Sequence, residues 1–146
     1  MKSRLKIAVF VISLLVIAGI GTGIYLFNLR PGDLNKVKPD FTLTAPDLFK
    51  YFEENEAAAT KKYVNKIVEV SGEIGSAKPG ENGTLNVSLK TGSDLSSVIC
   101  TFPGSRYPEN MTEGSRITIR GECSGYLMDV LLNNCAVIKP TERSDK

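Results

Sequence analysis

From Ile7 to Phe27 the chain runs for 21 residues without a charge (IAVFVISLLVIAGIGTGIYLF). As a helix, at about 1.5 Å per residue, this run is roughly 31 Å long, close to the hydrocarbon thickness of a bilayer. It is the only such run in the 146 residues. The remainder is polar and must make its own small core. The expected division is a cytoplasmic tail 1–6, a transmembrane helix 7–27, a linker 28–43, a folded domain 44–139 and a short tail 140–146.

Charge orients the anchor. Lys2, Arg4 and Lys6 precede the apolar run with no acid among them, and positive flanks favour the cytoplasmic side. The expectation is a single-pass protein of the inner (cytoplasmic) membrane with its domain on the periplasmic, extracytoplasmic side. The rival is a cleaved signal peptide, with Gly19 and Gly21, or Gly21 and Gly23, as the small pair at the cut. Against it, the run continues to Phe27 and no Ala-x-Ala occurs. No cysteine lies near its end for lipid attachment. Gly19-x-x-x-Gly23 fits a helix-dimer spacing, although glycine is common in membrane helices generally.

The net charge of +2 conceals an asymmetry. Residues 1–39 carry six Lys/Arg against Asp33, whereas residues 40–146 carry twelve against fifteen Asp/Glu, or −3. A nucleic-acid binder is expected to show the reverse. Histidine is absent, which removes the commonest general base and metal ligand and rules out Ser/His/Asp and Cys/His arrangements built from this chain alone. Asp129 and Glu122 form no recognisable acid/base pair in the sequence. No catalytic residue, metal site or cofactor is expected.

The domain reads as one helical stretch followed by strands. Phe41 and Leu43 alternate with polar residues as a short extended segment. Thr44 is a helix N-cap, Pro46 sits in the first turn, and Asp47 completes a capping-box variant. Leu48, Phe49 and Phe52 share a face, so a helix is expected over 45–62, extended or restarted by Ala57–Ala59 and Tyr63. The period then changes to two. Strands are expected at 67–74, with Gly72 as a bulge or bend, and at 85–89, 98–102, 117–121 and 130–138. Pro103–Gly114 is irregular, with room for a helical turn near Glu109–Met111. Five short strands with a break between the third and fourth match a five-stranded OB-fold-like barrel preceded by an α-helix. An open sheet or sandwich is the alternative.

Asn55-Glu-Ala-Ala-Ala59, Lys62-Tyr63, Val70-x-Gly72, Val98-x-Cys100-x-Phe102, Gly121-x-Cys123-x-Gly125-Tyr126 and Asp129-Val-x-Leu-x-x-Cys135 together resemble a bacterial family of OB-fold domains labelled tRNA_anti-like. The resemblance covers residues 45–139. It implies a barrel preceded by a helix, often behind a signal or membrane anchor, and no defined activity. The anchor-plus-barrel layout is also similar to the haem chaperone of cytochrome c maturation, which attaches haem through a histidine that this chain lacks.

Candidate ligand residues are Arg106 and Tyr107 in the irregular stretch and Tyr126 after the fourth strand, because OB-folds bind on strands two and three and the flanking loops. The competing reading of Tyr126 is packing against the barrel end. Cys123 and Cys135 are the candidate disulfide, with Cys100 a small core residue; three reduced core thiols are the alternative. Three Asn-x-Ser/Thr triplets, at Asn82, Asn86 and Asn110, read as turn and strand residues. The expected function is a non-catalytic, membrane-anchored binding module. Its partner is expected to be an envelope protein or a small polymer such as an oligosaccharide. The second reading is a single-stranded nucleic-acid binder, opposed by domain charge; its best basic patch is Lys61, Lys62 and Lys66.

Overall fold

The computed structural model describes residues 2–28, 33–104, 108 and 110–142. The chain divides into two compact units, Met1–Gly32 and Asp33–Lys146. The first holds helix α1, Lys2–Asn28. Its stretch Lys6–Ile24 is long and apolar enough to cross a membrane, with none of it buried against protein. Thr22 donates its hydroxyl to the Ala18 carbonyl at 2.8 Å, so its one side-chain donor is satisfied within the helix.

The second unit is mainly β: a closed five-stranded barrel with a preceding helical segment. Strand β1 (Phe41–Thr44) leads into α2 (Ala45–Glu54) and α3 (Glu56–Tyr63). Strands β2 (Ile67–Pro79), β3 (Leu85–Lys90), β4 (Ser97–Phe102), β5 (Arg116–Leu127) and β6 (Asp129–Glu142) follow. The barrel closes in the order β2-β3-β4-β6-β5 and back to β2; β1 adds to β2 in parallel. Only the β4–β6 pair within the barrel is parallel, starting at Val98↔Val130. This is the OB-fold arrangement.

Local chemistry explains the start. Thr44 Oγ1 accepts from the Asp47 N–H at 3.3 Å and donates to Asp47 Oδ2 at 2.6 Å, the cap expected from sequence. One continuous helix over 45–62 is not formed. Asn55 breaks it with φ −156°, ending α2 and capping α3 through its side chain, which accepts from the Ala58 N–H at 3.0 Å. Leu48, Phe49 and Phe52 bury the apolar face of α2 against the barrel core.

The alternation in β3 and β4 puts Val87, Leu89, Val98, Cys100 and Phe102 inside, all 0 % exposed. Three expectations need correction. The register of β2 slips between Ile74 and Ser76, not at Gly72. Gly72 is instead a close-approach site: a Cβ there would stand 3.0 Å from Ala45 Cβ and 3.2 Å from Leu89 Cβ. The folded unit also begins before the expected boundary at 44. Leu34, assigned to the linker, is 1 % exposed, because Arg120 holds the backbone of its segment. At the other end β6 runs to Glu142, beyond the expected limit of 139.

Candidate functional site

OB-folds take ligands on the outward face of their second and third strands, here β3 and β4. The outward residues are Asn86, Ser88, Lys90, Ser97, Ile99 and Thr101. Apart from Ile99 they are polar and paired with neighbours: Thr101 Oγ1 donates to Asn86 Oδ1 at 2.9 Å, the Ser76 and Ser88 hydroxyls lie 2.9 Å apart, the Ser97 hydroxyl donates to Asp129, and Lys90 pairs with Glu73. Among the described residues this face presents no aromatic ring, so it offers no stacking platform for bases.

A concavity lies elsewhere. A half-open groove of about 660 Å³ runs between the start of α2 and strands β2 and β5. Its floor is the Ser71 and Thr118 hydroxyls, 3.0 Å apart across the β2–β5 ladder. Glu73, Lys90, Arg116 and Lys139 line it, with Lys90 and Arg116 acting on the Glu73 carboxylate. Lys90 Nζ donates to Glu73 Oε1 at 2.6 Å. That hydrogen bond holds the Glu73 carboxyl below its usual range and the Lys90 ammonium above its own. Arg116 stands opposite Glu142 in the β5–β6 register. The groove is therefore polar and of mixed charge. It offers hydroxyls and fixed charges to a ligand but no nucleophile–base pair, and no metal-binding cluster occurs among the described residues.

The sequence motif family's profile, tRNA_anti-like, matches residues 1–137. The chain belongs to the tRNA_anti-like family. Among solved structures, a lipoprotein from Klebsiella pneumoniae subsp. pneumoniae MGH 78578 whose name proposes nucleic-acid binding is 22% identical. The match covers 75% of this chain and all (100%) of that one, with a TM-score of 0.58. The yeast Stn1 and Ten1 structure is 15% identical, covering 77% of this chain and 69% of that one, with a TM-score of 0.45. At these identities the likeness is one of fold. No curated protein matches the chain.

In this tRNA_anti-like domain the residues expected from sequence are placed differently. Arg106 and Tyr107 lie outside the described residues. Tyr126 is a packing residue: its ring stacks on Phe52 with centroids 5.4 Å apart and meets Phe49 at 6.3 Å. It wedges β5 against α2 and is not a free platform. Of the basic patch at the end of α3, Lys62 is engaged: its Nζ lies 5.0–5.6 Å from the ring centroids of Phe41, Tyr51 and Tyr63. Asp129 is structural. Its Oδ1 accepts from the Ser97 N–H at 2.7 Å and the Ser97 hydroxyl at 2.9 Å, joining the β5–β6 turn to the start of β4. The groove residues were missed because Glu73 and Lys90 meet only when β2 pairs with β3, and Arg116 and Thr118 join them only when β5 closes onto β2. The legible trace was the outward phase of Ser71 and Thr118.

The expected Cys123–Cys135 bridge is absent: all three cysteines are free thiols in the core. Burial pushes the Cys123 thiol up to about 11 from 9.0. A thiol whose folded value is raised stabilises the fold below the unfolded value, and that contribution is lost as pH rises through the folded one. Unfolding free energy of the reduced protein should thus fall between about pH 9 and 11, and Cys123→Ala should flatten that part of the profile. Parallel urea melts at pH 8, 9.5 and 10.5 give the check; identical pH slopes for both proteins would remove Cys123 as a cause.

Proposed function

We propose that the protein is a non-catalytic binding module tethered to the inner membrane by α1, with its OB-fold barrel on the extracytoplasmic side. The observation that carries the reading is the β3–β4 face, which among the described residues has no aromatic ring and whose cation, Lys90, is ion-paired with Glu73, whereas a nucleic-acid surface needs stacking rings and free cations. Support comes also from the domain charge of −3, the apolar length of α1 and the basic residues before it. Family membership adds an OB-fold binding scaffold. The partner is an envelope protein or a polar oligomer such as an oligosaccharide, held in the groove by the Ser71 and Thr118 hydroxyls and the charges around them. Tethering raises the local concentration of the module, so a weak contact suffices.

The competing reading is single-stranded nucleic-acid binding, which the name of the Klebsiella lipoprotein favours. Two measurements decide between them. A reporter active only in the periplasm, fused after Lys146, should be active, and the protein should stay in the membrane after an alkaline wash. In fluorescence anisotropy, the detergent-purified protein should show no sub-micromolar affinity for a mixed-sequence single-stranded oligonucleotide at physiological salt. Tight, salt-sensitive binding would reverse the assignment. A photo-crosslinking residue at Thr118 should capture a partner in native membranes, whereas one at Asn86 should not.

A further inference from the structure

Strand β6 changes phase in the barrel wall. Strict alternation from the buried Leu132 would turn Asn134 inward and Cys135 outward. Asn134 instead takes a left-handed conformation with φ 53°, and Cys135 swings into the core at 0 % exposure. Its thiol reaches back to the Leu132 carbonyl, with Sγ 3.4 Å from that oxygen. Leu132 is the register partner of Cys100 on β4. The Cys135 sulfur accordingly neighbours the Cys100 thiol and the Thr101 backbone on β4. On its other side is Gly121 of β5, where a Cβ would come within 2.7 Å of Cys135 Sγ. The missing side chain of Gly121 makes room for this sulfur.

Cys123 is the next residue along β5 with the same facing as Gly121, about 6.6 Å further on by strand geometry. Its thiol is served by the Gly125 backbone N–H. A disulfide requires Cβ atoms about 4 Å apart; Leu132 stands between Cys100 and Cys123 in the register, but the sulfur seated over Gly121 lies a two-residue strand step from Cys123 and has the Cys100 thiol as its neighbour.

We propose that Cys100 and Cys135 are the oxidisable pair of this domain: a disulfide joins β4 to β6 when the chain folds in an oxidising compartment, and Cys123 remains a thiol. The pairing follows from the core geometry alone; where it forms in the cell rests on the extracytoplasmic reading. The oxidant is a disulfide of the thiol-oxidoreductase or glutathione class. One cysteine thiolate attacks it, giving a mixed disulfide and releasing one thiolate. The second cysteine thiolate then attacks the mixed disulfide and expels the other. Two protons and two electrons leave the protein, and the oxidant is reduced to two thiols. Because both sulfurs are buried and Cys135 is held in its protonated form by that burial, the exchange belongs to folding and not to the finished barrel.

The full-length protein is refolded in detergent with oxidised and reduced glutathione, its free thiols are alkylated after unfolding, and its peptides are mapped by mass spectrometry. The expected product has one bridge, Cys100–Cys135, with Cys123 alkylated, and melts about 10 °C above its dithiol-reduced form. Cys123→Ala should retain the bridge. Folded, reduced protein should resist the same oxidant. A bridge containing Cys123, or three alkylated thiols after oxidative refolding, overturns the proposal. Acid-quenched cells are mapped in parallel. The bridge in vitro with three thiols in cells would leave the pairing standing and overturn the extracytoplasmic placement instead.

Discussion

Replacing Arg120 with alanine is expected to cost about 3 kcal/mol or more of unfolding free energy, and to lower the melting temperature by roughly 10 °C. Arg120 is 9 % exposed. Its Nε and Nη2 both donate to Glu69 Oε2, and its Nη1 donates to the carbonyls of Leu34 and Val37. The ion-pair side chains are 11% and 18% exposed, so little water is present to take over when one partner is removed. Truncation would leave the Glu69 carboxylate and the linker carbonyls poorly paired. It would also release Leu34. Urea melts measure the loss, and trypsin should cut after Lys36 sooner in the variant. Arg120→Lys should be intermediate, since a single ammonium cannot serve Glu69 and two carbonyls from one planar fork. The pair Arg120→Met with Glu69→Leu should cost less than Arg120→Ala, because no buried charge is orphaned. A change below about 1 kcal/mol in Arg120→Ala would show that the 34–37 segment is not held by this side chain.

Gly121→Ala should destabilise the domain by about 2–3 kcal/mol. The added methyl would stand 2.7 Å from Cys135 Sγ, 3.2 Å from Leu132 Cβ and 3.2 Å from the Asn133 carbonyl oxygen. The first contact is with a sulfur packed in the core, and the last is with backbone, so no flexible side-chain end can simply move aside. A double-mutant cycle isolates the sulfur. In a Cys135→Ala background the same Gly121→Ala change should cost about 1 kcal/mol less. Chemical denaturation of the four reduced proteins gives the coupling directly. Strict additivity would mean that β5 and β6 separate slightly to admit the methyl, and that Cys135 is not the atom in the way.

The features legible in the sequence are those with a local physical cause. An uncharged apolar run needs no partner to be read as a helix of membrane length. The Thr44–Asp47 cap is set by a three-residue spacing. The alternation around Val87 and Cys100 separates inside from outside on a pleated strand whatever its neighbours are, and the strand count with its break was enough for the barrel. Boundaries were less legible. Asn55 stopped α2 because a side chain able to cap the next helix competed with helix continuation. Leu34 and its neighbours read as linker because their partner is far along the chain.

That distance separates the two sources of knowledge about this protein. Local spacing fixed the apolar helix, the cap, the strand phases and, by the lack of histidine, the chemistries excluded. Tertiary structure alone decided that Arg120 meets carbonyls 83 and 86 residues away, and that Tyr126 is used up in packing on Phe52. It also decided that Glu73 and Lys90 frame a groove and that Cys135 faces Cys100. Each of these depends on which elements become neighbours on folding, and the last also on Asn134, whose left-handed conformation shifts β6 out of phase. Pattern in one strand records which face is buried; only closure of the sheet determines what that face meets.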